Sequence, residues 1–93
     1  MHMPLAADST HFYYGLDALL GHQTQNATCQ FDVKRFDDAE PPWFVLHVRP
    51  PMPDDLDKAQ IVVFSAEGRQ TSGIVRSTER LDDGSLRLNV ESS

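Results

Sequence analysis

Cysteine is nearly missing from this chain of 93 residues, and its single thiol, Cys29, excludes both a disulfide framework and a cysteine zinc cluster. Basic residues are also scarce: eight Lys and Arg stand against fourteen Asp and Glu, giving a formal net charge of −6. Affinity for nucleic acid rests on neutralising phosphates, so this balance opposes it. No apolar run approaches the ~18 residues that span a bilayer, and the first residues carry neither the basic nor the hydrophobic segment of a secretion signal. Membrane insertion is therefore not expected, and a cytoplasmic setting is. Met1-His2-Met3 reads as a start residue followed by an added remnant, so His2 counts toward no site.

The constellations that carry chemistry are equally thin. His11, His22 and His47 have no His or Cys two to five residues away, which defeats a local metal-ligand pattern. The acidic groups Asp37-Asp38-Glu40, Asp54-Asp55-Asp57 and Asp82-Asp83 lack the alternation of a calcium loop and read as turn formers and solvated charge. There is no nucleophile elbow and no glycine loop to cradle phosphate. Cys29 lies on the apolar parity of its strand, which points to packing rather than to reactivity. No enzyme activity, metal or cofactor is expected.

What the chain does have is hairpin signal. Ile61-Val62-Val63-Phe64, Gly73-Ile74-Val75 and Leu86-Arg87-Leu88-Asn89-Val90 are apolar, β-rich runs separated by Glu67-Gly68 and Asp83-Gly84. A two-residue turn at Glu67-Gly68 sets Phe64 opposite Thr71, Val62 opposite Gly73 and Ile61 opposite Ile74, with Phe64, Val62 and Val75 on one face. A two-residue turn at Asp83-Gly84 pairs Leu81 with Leu86, Thr78 with Asn89 and Arg76 with Glu91, turning Leu86, Leu88 and Val90 inward. The same register puts Glu79 beside Leu88 on the inward face, where an unpaired carboxylate is costly. A bulge near Ser77 to Glu79 is the expected escape.

Upstream, Ser9 and Thr10 suit a helix cap, and Phe12, Leu16, Leu19 and Leu20 recur at helical spacing before Gly21, predicting an amphipathic helix from about His11 to Leu20. Gly15 weakens it, so it must pack on a surface. His22 to Ala27 reads as a polar loop. Cys29, Phe31 and Val33 alternate as a strand, and Asp37 to Pro42 is an acidic connection closed by prolines. Trp43 to Arg49 is a second strand with Phe44, Leu46 and Val48 inward; Trp43 and His47 then lie outside, under the helix or as a partner patch. Pro50 to Asp55 stops that strand, and Asp54 or Asp55 can cap one turn through Leu56 to Ala59. A chain this long buries only roughly 60–65% of its unfolded surface, which is one core. The expectation is a single domain over 1–93, with flexible ends at 1–8 and 91–93. Its fold is a small five- to six-stranded antiparallel β-barrel with an N-terminal helix.

Two surfaces stand out. The partner-binding candidates are Trp43, His47 and Arg49, with Tyr13 and Tyr14 beside the helix stripe. The anion-binding candidates are Arg76, Arg80 and Arg87, which the second-hairpin register gathers on one outward face, Arg80 opposite Arg87.

The segment Val45 to Val90 resembles the carboxy-terminal part of a PilZ domain, the bacterial split β-barrel that senses cyclic di-GMP. The matching residues are Pro51-Met52-Pro53-Asp54-Asp55-Leu56, Ile61-Val62-Val63-Phe64, Gly73-Ile74-Val75-Arg76 and Gly84-Ser85-Leu86-Arg87-Leu88-Asn89-Val90. The family's nucleotide grip is not among them: no arginine precedes Cys29, and Asp32-Val33-Lys34-Arg35-Phe36-Asp37 lacks the serine and glycine of the family's turn. The resemblance implies a degenerate member in bacterial signalling that acts through protein contacts or self-association. The alternative is a small-anion or nucleotide sensor using the three arginines.

Overall fold

The computed structural model describes residues 11–18, 21–66 and 68–92. It contains seven strands: β1 (His11–Ala18), β2 (Gly21–Thr28), β3 (Phe31–Phe36), β4 (Trp43–Val48), β5 (Ile61–Ala66), β6 (Arg69–Arg80) and β7 (Leu86–Ser92). They form one sheet in the order β2-β1-β5-β6-β7-β4-β3, antiparallel throughout. The meander β5-β6-β7 is the centre, with the β1-β2 hairpin added beside β5 and the β3-β4 hairpin beside β7.

β2 and β3 follow one another through only Cys29 and Gln30, yet they are the two outermost strands. The sheet must coil for so short a link to join its edges. Ring contacts across the concave side record that coil: Phe31 of β3 meets Phe12 of β1 at 5.4 Å and Phe64 of β5 at 5.3 Å, both edge to face, and Phe44 of β4 meets Phe64 at 5.6 Å. These rings, with Leu46, Val48, Val62, Leu86, Leu88 and Val90, make one buried core. A short 3₁₀ turn, Leu56–Lys58, inserts the fully buried Leu56 into it.

The N-terminal helix and the closed barrel are both overturned. His11 to Ala18 is strand β1, because Phe12 and Leu16, which share a helical stripe, also fall with Tyr14 at period 2, aromatic residues favour strands, and Gly15 weakens a helix. Phe12 pairs with Phe64 and Tyr14 with Val62, a sheet partner that the local pattern could not reveal. His22 to Ala27 is not a loop but lies within β2, paired with β1 along its whole length. Leu19 and Leu20 lie outside the described residues, as do positions 1–8 and Ser93. The sheet stays open: among the described residues no ladder joins β2 to β3. Arg35 on β3 points inward and donates Nη2 to Thr71 Oγ1 on β6 at 2.9 Å; an inward charge is one device that keeps an edge strand from pairing.

The first hairpin has the expected register, Phe64↔Thr71, Val62↔Gly73 and Ile61↔Ile74. The second is shifted by one. Arg80 faces Leu86, Glu79 faces Arg87 and Thr78 faces Leu88. The loop is longer than a two-residue turn: Gly84 N donates to Leu81 O at 3.0 Å, Leu81 N donates to Ser85 O at 2.9 Å, and Gly84 has φ +88°. A tight turn followed by a left-handed glycine is the three-residue hairpin, and its extra residue resets the ladder. A bulge between Val75 and Ser77 restores the faces further along. Glu79 is thus placed outward, where it accepts from Arg87 Nη1 at 3.0 Å, so the buried carboxylate never arises.

Gly73 sits where β6 and β7 approach most closely. A Cβ there would lie 2.6 Å from Val90 Cγ1 and collide with the Glu91 carbonyl oxygen. β7 continues through Ser92, whose N–H donates to Pro42 O at 3.0 Å, so residues 91 and 92 are part of the sheet rather than a flexible end. Asp55 stands at the start of the 3₁₀ turn without capping it by its side chain. Its carboxylate accepts instead from Tyr14 Oη at 2.7 Å.

Candidate functional site

The inner face of the sheet is committed to the core, so side chains free to form a contact face lie on the outer face, and the register determines which residues share it. One row crosses six strands: Gly15, Ile61, Ile74, Glu91, Trp43 and Phe36. A second begins with Tyr13 opposite Val63. Tyr13 is 43% exposed and Ile61 and Ile74 are 45% exposed, the most exposed large apolar side chains among the described residues. His11 packs edge to face on Tyr13 at 5.1 Å. Gly15 supplies no side chain beside Ile61, leaving a shallow cavity of about 110 Å³ among Tyr13, Thr24, Ile61 and Val63.

The other end of the first row is aromatic but less open. Trp43 is half-buried and stacks on Phe36 at 4.3 Å with the rings 12° apart, while Lys34 Nζ stands 5.5 Å over Phe36. Between the two ends, Arg76 donates Nε and Nη2 to Glu91 Oε1 at 2.8 and 2.6 Å. A groove of about 330 Å³ runs there, lined by Pro41, Trp43, Arg76, Val90 and Glu91.

A third row is charged: Asp32, His47, Arg87 and Glu79 lie side by side on β3, β4, β7 and β6. Arg49 Nη2 donates to Asp32 Oδ2 at 2.6 Å. His47 Nε2 lies 2.9 Å from Ser85 Oγ, and Ser85 Oγ donates to Asp83 Oδ1 at 2.5 Å. The one hydroxyl proton is spent on Asp83, so His47 must be the donor to Ser85. That polarity is the reverse of an activated serine, and the Ser85 side chain is fully buried. The arrangement fixes the loop and the imidazole. The Ser85 hydroxyl and backbone N–H hold the Asp83 carboxyl below the usual carboxylate range.

The residues singled out from sequence thus divide. Tyr13 is exposed on the apolar face. Trp43, His47 and Arg49 share the outer face, each with an internal partner. Tyr14 is buried, 3% exposed, with burial and the bond to Asp55 raising its phenol above the ordinary value. Arg76, Arg80 and Arg87 do not form one strip: they end on Glu91, Asp57 and Glu79, and Arg80 lies opposite Leu86 rather than Arg87. Cys29 is 6% exposed, and burial pushes its thiol up, away from the thiolate a nucleophile needs. No cluster of three or more His, Cys, Asp or Glu able to hold a metal ion occurs among the described residues. No helix among them is long and apolar enough to cross a membrane.

Sequence reasoning passed over Ile61, Val63 and Ile74. The signal was present: the first-hairpin register already set Ile61 against Ile74 on the side opposite Val62 and Phe64. No protein family, curated protein or solved structure gives a significant match to the chain.

Proposed function

We propose that the protein is a non-enzymatic binding module that engages a protein partner through the apolar outer face formed by Tyr13, Ile61, Val63 and Ile74. The observation that carries this reading is the exposure of three large apolar side chains on adjacent strands, on a face that the fold does not need for its core. Contiguous exposed apolar surface on a small domain marks sites of contact with other macromolecules. A partner presenting its own apolar surface fits it; Trp43 and Phe36, beyond the Arg76–Glu91 pair, extend the contact. Kinship with PilZ domains belongs to the same proposal. It rests on the motifs between Val45 and Val90, and it leads to recognition of protein in bacterial signalling rather than of cyclic di-GMP. The single thiol, which fits a reducing compartment, supports a cytoplasmic setting.

The test is co-purification from the native cells with the double variant Ile61→Lys, Ile74→Lys. A discrete partner retained by the wild type, but lost by the double variant with an unchanged circular dichroism spectrum, supports the reading. Equal recovery with wild type and double variant overturns it.

A further inference from the structure

We propose that β2 is a self-association edge: two copies of the chain join by antiparallel pairing of Gly21–Thr28 with its counterpart, and the sheet continues across a two-fold axis. β2 ends the sheet, and among the described residues no strand lies on its far side. It pairs with β1 at all eight positions, from Ala18↔Gly21 to His11↔Thr28, with no bulge. Its outward backbone groups therefore form a regular row.

Natural edge strands are blunted by charge, proline, bulges or brevity. β2 has none of these devices, reading Gly-His-Gln-Thr-Gln-Asn-Ala-Thr. The opposite edge has several: β3 is six residues long and carries Asp32, Lys34 and the inward Arg35. β2 also contributes little to its own core. Among its described side chains only Ala27 is buried, and Gln25 is half-buried. Moreover β1 meets β5 only over Phe12 to Gly15, so Leu16 to Ala18 and their partners Gly21 to Gln23 form a two-stranded extension. A two-stranded ribbon is marginal in water unless more strands join it.

Charge makes this edge the place where two copies of the chain can meet. At a net charge of −6 two copies repel, which favours contact where charge is absent. The run between Asp17 and Asp32 is the longest in the chain without Asp, Glu, Lys or Arg, and β2 lies inside it. A continuous concave face requires paired residues of the same parity. Centring the pair on Gln25 uses residues 22–28 and sets Gln25 against Gln25, Thr24 against Asn26 and Gln23 against Ala27. The first two are amide and hydroxyl pairs that bond across antiparallel strands, the small Ala27 leaves room for Gln23, and no like charges stand in opposition. The dimer would carry both apolar outer faces on one side, the two β5 strands five spacings or roughly 24 Å apart. It stands independently of what binds that face.

The experiment is sedimentation velocity on the full chain over a concentration series, with Gln25→Glu, Gln25→Lys and their equimolar mixture. The expected result is a wild-type dimer, a several-fold weaker dimer for each variant alone, and recovery of the dimer in the mixture, where opposite charges face. A wild type that is monomeric throughout, or variants that dimerise like it, overturns the proposal. Should a variant fail to fold, amide exchange on the wild type decides: protection of β2 amides that rises with concentration supports the edge, and concentration-independent exchange refutes it. Ile61→Lys, Ile74→Lys should leave this dimer intact.

Discussion

Ile61 lies directly opposite Ile74 on the outer face of the sheet, and nearly half the surface of each faces solvent. Cross-strand aliphatic pairs stabilise a sheet by at most about 1 kcal/mol when one side remains wet. Replacing either with lysine should therefore change unfolding free energy by no more than about 1 kcal/mol, measured in urea, while disrupting the proposed contact surface.

Gly73 behaves in the opposite way. No side chain fits between its Cα and β7, where Val90 Cγ1 and the Glu91 carbonyl already stand. Gly73→Ala should destabilise by about 1–3 kcal/mol through overpacking. A midpoint unchanged in urea would show that the bulge at Val75–Ser77 absorbs the methyl group.

Phe31 holds the coil. It is the only β3 ring that touches both Phe12 and Phe64, which come from strands on the far side of the sheet order. Phe31→Ala should cost about 3–5 kcal/mol, enough to abolish much of the stability of a domain this size. Near-ultraviolet circular dichroism and thermal unfolding report it.

Tyr14 and Asp55 give a pH signature on the alkaline side. The raised phenol pKa means that folding favours the protonated form, so this contribution is complete below the ordinary tyrosine value of about 10 and is lost as pH rises above it. Tyr14→Phe should remove that alkaline loss and cost about 1 kcal/mol at neutral pH, from the missing bond to Asp55.

Asp83 gives the acid counterpart. Its carboxyl is lowered by the Ser85 hydroxyl and backbone N–H, so its contribution is present above the ordinary aspartate value and is lost as pH falls through the lowered one. Ser85→Ala should move the Asp83 titration back toward the ordinary range, visible in carboxyl carbon-13 shifts. The His47 resonances should shift with it, since its acceptor is gone.

Strand content from Phe31 to Lys34 and from Trp43 to Val48 was legible because alternation of apolar residues is a local property, and the inward set Phe44, Leu46, Val48, Leu86, Leu88 and Val90 follows from such alternation. The Glu67-Gly68 hairpin was legible for the same reason. The second hairpin was not fully so: whether Asp82-Asp83-Gly84 closes in two residues or three depends on the φ of Gly84 and on bonds from Leu81, and one residue of difference moves Glu79 from core to solvent. β1 was hidden because Phe12 and Leu16 fit a helical stripe as well as the period-2 set that includes Tyr14, and only the distant pairing with Phe64 and Val62 selects between them. The candidate face shared that fate only in part. Tyr13 reaches it only as part of a strand, whereas the first-hairpin register already turned Ile61 and Ile74 away from Val62 and Phe64.

The claim that the outer face is a binding surface is tested most directly by site-specific photocrosslinking in the native cells, with the reactive side chain placed in turn at Ile61, Ile74 and, as a control on the charged half of the same face, Glu79. The expected result is one discrete adduct from Ile61 and Ile74, absent from Glu79 and abolished by Tyr13→Lys. Adducts of equal yield from all three positions, or from none, would contradict it.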